Sequence, residues 1–128
     1  MKILAVDDDP FIRELLPVVF READYPHLTL AESGAAALAL LETTKEHFDC
    51  LLLDIEMPEM DGITLCRHVR ALEAYQDTPI LMVTSRADAS SIERAFAAGA
   101  NDYVTKPFDV KDIATRVHIA ERMLENTQ

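Results

Sequence analysis

The chain has 128 residues, of which 12 are lysine or arginine and 23 aspartate or glutamate, for a formal charge of −11; 49% of its residues are hydrophobic. That length suits one domain, 1–128, able to bury its own core without disulfides or a structural metal. The acidic surplus repels phosphate backbones and anionic headgroups, so direct nucleic-acid or membrane-surface binding is not expected. The longest apolar runs, Ala35–Leu41 and Cys50–Leu53, are too short to cross a bilayer.

Met1-Lys2-Ile3 leads straight into a strand-like run, without the apolar core and cleavage site of a signal peptide, which predicts a cytoplasmic protein. Lys2–Val6 is a short aliphatic strand. Pro10–Ala23 carries Phe11, Ile12, Leu15, Leu16, Val19 and Phe20 at helical spacing. His27–Ala31 comes next as a strand and Gly34–Lys45 as an alanine- and leucine-rich helix. Asp49–Leu53 is almost wholly apolar, the pattern of a strand buried on both faces. Asp61–Ala74 reads as a helix, Pro79–Val83 as a strand, and Ala89–Ala98 as a helix closed by Gly99. Asp102–Thr105 and Asp109–Leu124 are the last strand and helix. Five strand–helix units in succession predict parallel strands joined by crossovers, a doubly wound α/β sandwich.

Helix starts agree with these bounds. Asp9-Pro10 places an acceptor before a proline at the first helical position. Ser33, Asp61 and Asp109 can cap helices two, three and five, and Ser90-Ser91-Ile92-Glu93 fits a capping box. Pro17 lies inside helix one, where a kink rather than a break is expected because the apolar spacing continues past it. Cys50 and Cys66 form no CxxC pair and read as reduced packing residues. His27, His47, His68 and His118 are scattered without ligand spacing and read as surface or packing residues.

The residues suited to chemistry stand just after the strands. Asp7, Asp8 and Asp9 come after the first, Asp54 after the third, Thr84 and Ser85 after the fourth, and Lys106-Pro107 after the fifth. Open α/β sheets bind ligands outside the carboxyl ends of their strands, where the winding reverses. If the chain starts in the middle of the sheet, Asp7, Asp8 and Asp54 converge on one pocket, with Asp9 left as the helix cap. Two unit charges about 5 Å apart repel by roughly 3 kcal/mol at an effective dielectric near 20. A raised pKa can relieve this, but a hard dication such as Mg²⁺, which takes oxygen ligands, fits better. A carboxylate, a dication, a lysine and a hydroxyl donor together make a site for a phosphoryl group.

Over essentially its whole length the chain resembles the CheY-like receiver domains of two-component response regulators. The resemblance rests on Val6-Asp7-Asp8-Asp9, Leu53-Asp54-Ile55-Glu56-Met57-Pro58 running on to Met60-Asp61-Gly62, Val83-Thr84-Ser85, and Gly99-Ala100-Asn101-Asp102-Tyr103-Val104-Thr105-Lys106-Pro107-Phe108. It implies a flavodoxin-like (βα)5 fold with strand order 2-1-3-4-5. It implies that Asp54 accepts phosphate from a histidine kinase or histidine phosphotransfer protein, and that Asp8, Asp54 and the backbone carbonyl of Glu56 ligate Mg²⁺, with Asp7 acting through water. Thr84 would hydrogen-bond the phosphoryl group, Lys106 would pair with it, and Tyr103 would be the aromatic that turns inward on activation. Lys106-Pro107 would be cis. Phosphorylation adds close to two negative charges. Thr84 and Lys106 would move toward them, repacking the face of helix four, strand five and helix five that controls an output domain or partner.

Two further expectations attach to that resemblance. Glu56 and Arg86, each two residues beyond a site residue, would pair across the pocket mouth and slow an attacking water. Asp102 and Arg116, joined by Arg94, stand where receivers of the DNA-binding subfamily pair across a two-fold homodimer. The alternative function is a Mg²⁺-dependent phosphatase with an aspartyl-phosphate intermediate; against it, the acceptor comes after strand three and the chain has no length for cap segments. Otherwise the chain is expected to be no enzyme, a switch catalysing only its own phosphorylation and dephosphorylation. A flavodoxin-like cofactor carrier would need a phosphate loop where this chain has aspartates.

Overall fold

Alternate residues of the central strands enter two different cores, which is why those strands look continuously apolar in sequence. In the computed structural model, which describes residues 1–43 and 45–126, the elements are β1 (Ile3–Val6), α1 (Pro10–Glu22), β2 (Leu28–Ala31), α2 (Gly34–Thr43), β3 (Cys50–Asp54), α3 (Gly62–Ala71), a 3₁₀ turn (Glu73–Tyr75), β4 (Ile80–Thr84), α4 (Ala89–Ala97), β5 (Asp102–Thr105) and α5 (Val110–Asn126). All four strand pairings are parallel and the sheet order is β2-β1-β3-β4-β5, the expected doubly wound, flavodoxin-like arrangement. Leu4, Val6, Leu51 and Leu53 pack with residues of α2, α3 and α4, such as Leu41, Leu65 and Ala95. Ile3, Ala5, Cys50 and Leu52 pack with Leu16 and Phe20 of α1 and Ile113 and Val117 of α5. Among the described residues no helix is long and apolar enough to cross a membrane.

The caps explain most boundaries. Asp9, Ser33, Asp61 and Asp109 accept backbone N–H groups from Phe11, Ala36, Thr64 and Lys111 at 2.7–3.0 Å. Helix α1 runs through Pro17 as one helix. Other bounds shift by a residue or two, β4 running Ile80–Thr84 so that Thr84 ends the strand, and three details depart from the sequence expectation for a visible reason. The capping box at Ser90 does not form, because Asp88 caps α4 instead, accepting the N–H of Ser91 at 3.2 Å and its hydroxyl at 3.0 Å. Asp49 stays outside β3, its carboxylate taking the Lys2 N–H at 2.8 Å. Helix α3 stops at Ala71 rather than Ala74 and gives way to the 3₁₀ turn.

Arg70 explains that early stop. Its guanidinium donates to the carbonyls of Tyr75 (2.8 Å), Thr78 (2.7 Å) and Gly99 (3.0 and 2.7 Å) and to Asn101 Oδ1 (3.0 Å). Asn101 Oδ1 in turn accepts the N–H of Ile80 at 2.8 Å, so one side chain gathers the amino ends of β4 and β5. Gly99 has φ 113°, a conformation that disfavours a side chain, and a Cβ there would lie 2.7 Å from Arg70 Cγ. The expected end of α2 at Lys45 crosses Thr44, which lies outside the described residues. Cys50 and Cys66 are buried free thiols. Burial pushes the Cys50 thiol up to about 12 and raises that of Cys66, in keeping with packing roles.

Candidate functional site

The winding of the chain reverses between β1 and β3, and the carboxyl ends of these neighbours carry Asp7 and Asp54. Asp7 is 3% exposed and Asp54 1%. Asp8, the next residue along, faces solvent. Carboxylate oxygens of Asp7, Asp8 and Asp54 all lie within 4.8 Å of one another. The three acids thus converge on one pocket, as their positions after the strands lead one to expect.

Backbone bonds hold each acid in place. The N–H of Asp7 extends the β1 ladder to Ala31 at 3.1 Å. Its carbonyl accepts Arg13 Nη1 at 2.9 Å, a contact that no sequence motif signals. The N–H of Asp9 donates to Asp7 Oδ1 at 2.9 Å, leaving Oδ2 toward the pocket. At β3, the N–H of Ile55 reaches Val83 at 2.9 Å and that of Glu56 reaches Asp54 Oδ1 at 3.3 Å. Gly62, the first residue of α3, sits against the Asp54 backbone, and a Cβ there would collide with the Asp54 carbonyl oxygen.

Lys106 enters from the end of β5, just before the cis Lys106-Pro107 peptide. Its Nζ lies 3.1 Å from Asp7 Oδ2 and 3.2 Å from Asp54 Oδ1. One lysine against three carboxylates leaves a surplus of two negative charges if all three ionise. The protein relieves this by protonation: burial, then the neighbouring Asp7, push the Asp54 carboxyl up to about 8, with Lys106 pulling the other way. Burial opposes the charge on Lys106, but the two carboxylates outweigh it and raise its pKa. An all-oxygen cluster with surplus negative charge, one member exposed to solvent, is the donor set a hard dication such as Mg²⁺ requires.

Thr84 is fully buried at the end of β4, yet its hydroxyl is not free. It donates to Glu56 Oε1 at 2.6 Å, nearer than the Arg86 carbonyl at 3.1 Å, and accepts the Arg86 N–H at 2.8 Å. Glu56 Oε1 also accepts the N–H of Ser85 at 3.1 Å. Glu56 Oε2 is buried with no hydrogen-bond partner. Burial raises the Glu56 pKa, but hydrogen bonding from Thr84, from its own backbone N–H, and from the side chain and backbone of Ser85 outweighs it and holds the carboxyl below its usual range. The expected Glu56–Arg86 pair is thus corrected: among the described residues no ion pair joins them, because Glu56 is committed to Thr84 and Ser85. Arg86 is exposed and acts electrostatically on Asp88.

Tyr103 is half-buried on β5, its ring edge-on to exposed Phe96 of α4 with centroids 6.3 Å apart. Asp102 and Arg116 meet within one chain, Arg116 Nη1 lying 2.9 and 3.0 Å from the two carboxylate oxygens. Arg116 Nε also reaches Asp112 at 3.3 Å. Among the described residues Arg94 does not join this pair. The histidines lie away from the acids: His47 stacks on Tyr75 and His118 meets the Tyr25 hydroxyl.

Comparison with known proteins agrees with this geometry. The family model for the response regulator receiver domain matches residues 3–118. The chain is 39% identical over 124 residues to the chemotaxis protein CheY of Pseudomonas aeruginosa, covering 96% of this chain and 98% of that protein. It is 36% identical over 126 residues to the transcriptional regulatory protein ResD of Bacillus subtilis, covering 98% of this chain but 50% of ResD. The chain spans about half the length of ResD and of several other curated relatives it matches. Among solved structures, Vibrio cholerae CheY4 superposes with a TM-score of 0.86 at 31% identity, covering 93% of this chain and 97% of that one. The receiver domain of the sensor histidine kinase PA1611 of Pseudomonas aeruginosa, which holds magnesium in its active-site cleft, gives 0.80 at 30% identity, covering 94% of each. Sequence motifs, sheet order and the meeting of acids with a lysine at one sheet edge thus converge, and the chain belongs to the response regulator receiver family, the receiver domains of two-component systems.

Proposed function

We propose that residues 1–128 form a single receiver unit in which Asp54 accepts a phosphoryl group from the phosphohistidine of a histidine kinase or histidine phosphotransfer protein. The observation that carries this reading is the placement of Asp54, buried at the switch point between Asp7, Asp8 and Lys106. A carboxylate oxygen of Asp54 forms the new P–O bond while the donor's P–N bond breaks, and the leaving imidazole nitrogen keeps the electron pair. Mg²⁺ would be held by Asp8, Asp54 and the Glu56 backbone carbonyl, with Asp7 acting through water. When bound, it offsets charge on the acidic cluster and on the transferring oxygens. Lys106 pairs with the arriving charge at the site where it now bridges Asp7 and Asp54. Thr84 supplies a hydroxyl donor, and Tyr103 the aromatic that repacks the face formed by α4, β5 and α5.

That face is the proposed control surface for an output domain or partner, and for a homodimer. Asp102 and Arg116 are already paired within one chain, so a two-fold contact through them exchanges an internal partner for an external one. Light scattering with and without beryllofluoride tests the dimer, and a strict monomer in both states would end it. A cytoplasmic location and a switch that turns over no free substrate complete the proposal.

The decisive experiment is incubation with acetyl phosphate and Mg²⁺ before measurement of the intact mass. One added phosphoryl group, lost in Asp54→Ala and on chelation, is the expected result. Sustained hydrolysis of a phosphomonoester would instead favour the phosphatase.

A further inference from the structure

The carboxylate of Glu56, from the loop after β3, takes two hydrogen-bond donors at the end of β4. One of its oxygens receives both the Thr84 hydroxyl, at 2.6 Å, and the Ser85 N–H, at 3.1 Å. Its other oxygen is buried with no donor to accept from. A buried acceptor without a donor is costly, so the arrangement is held by the two bonds on Oε1 rather than by a comfortable fit.

Resting on the proposed acceptor role of Asp54, we infer that Glu56 is a resident stand-in for the phosphoryl group: it holds the Thr84 hydroxyl and Ser85 N–H until phosphorylation, and so sets the rate of phosphorylation of this chain. Counting protons shows why. The Thr84 hydroxyl carries a single proton. It cannot be donated to Glu56 Oε1 and to a phosphoryl oxygen at once. A phosphoryl group on Asp54 carries close to two negative charges beside a carboxylate that is already ionised, so the two anions cannot share these donors. Glu56 must leave before Thr84 can turn to the phosphate. Leaving also returns Oε2 to water, which offsets part of what is lost at Oε1. Glu56 is therefore a positioning residue acting through Thr84, not a group that touches the reacting atoms with its side chain.

A stand-in differs from a plain charge effect, in which any anion near the site slows an anionic donor. A charge effect is equal in Glu56→Ala and Glu56→Gln, is screened by salt, and does not need Thr84. The stand-in needs Thr84. The test is a double-mutant cycle on the intact chain with acetyl phosphate and Mg²⁺, tracking the phosphorylation rate by intact mass. Glu56→Ala is expected to raise the rate on the order of tenfold, the size of one exchanged charge-assisted hydrogen bond. Glu56→Gln, which keeps an acceptor for the same donors, should fall between parent and Ala. In a Thr84→Ala background the gain from Glu56→Ala should shrink to less than about twofold. Thr84→Ser, which keeps the hydroxyl, should restore most of it and serves if Thr84→Ala folds poorly. Equal gains in Ala and Gln that persist without the Thr84 hydroxyl overturn the stand-in while leaving the acceptor role intact. A parent that takes up no phosphoryl group at all overturns the acceptor role, and the stand-in with it.

Discussion

Two cations sit at opposite ends of β4 and β5, and they are treated in opposite ways. Arg70 gathers the amino ends of the strands, and every acceptor it meets is a neutral carbonyl or amide oxygen. Burial lowers its pKa, but each of its guanidinium nitrogens has an acceptor. Lys106 stands at the carboxyl end of β5 and bridges two carboxylates of a cluster of three. The first cluster is complete as folded and therefore structural. The second balances only when a proton or a dication joins it, and that imbalance is what makes it responsive.

If the two ends differ in this way, the largest loss of stability should come from the structural one. Arg70→Ala strips donors from three carbonyls and should lower stability by about 3 kcal/mol. Urea unfolding measures this, and Mg²⁺ should stabilise the variant as much as it does the parent. At the other end, a Mg²⁺ concentration 100 times its Kd should add about 2.7 kcal/mol to the parent. Asp54→Asn should abolish that increment, yet raise the stability of the cation-free protein by removing a carboxyl that burial, then Asp7, force to take up a proton on folding. A cation-free variant less stable than the parent would contradict the account of crowded charge.

The responsive end should also respond to pH. Without a dication, Asp54 in the fold titrates at about 8, whereas an unfolded aspartate titrates near 3.9. Across that interval the folded chain holds a proton that the unfolded chain has released. Stability in chelator should therefore fall as pH rises from about 4 to about 8. The increment from Mg²⁺ should grow over the same range, because the metal needs the ionised carboxylate. Thermal melts between pH 5 and 8, with and without Mg²⁺, read both trends. The smallest effect belongs to the surface pair: Asp102→Asn should cost about 0.5 kcal/mol, less in high salt, since Arg116 is partly exposed.

Much of the fold and the site is legible in the sequence because it depends on order along the chain. Strands buried on both faces announce themselves as apolar runs, and a residue just after such a run must lie at the sheet's carboxyl edge. That reasoning places Asp7, Asp54, Thr84 and Lys106. The features that do not show depend on where long side chains turn. Arg70 is an ordinary residue in an amphipathic helix until Gly99, Thr78 and Tyr75 are brought around it, and only then does α3 end early. Asp88 displaces the expected capping box by reaching Ser91 first, a choice between two plausible caps two residues apart. Glu56 points to Arg86 on the basis of spacing alone, whereas its carboxylate reaches Thr84 across two loops.

The seat of Gly62 against the Asp54 carbonyl has a consequence for which positions of the pocket can change freely. With no room for even a methyl group, α3 cannot slide relative to the acceptor's main chain, and Asp54 has a fixed datum from which everything else is measured. A side chain changed at the rim, as at 56, 85 or 86, leaves that ruler undisturbed.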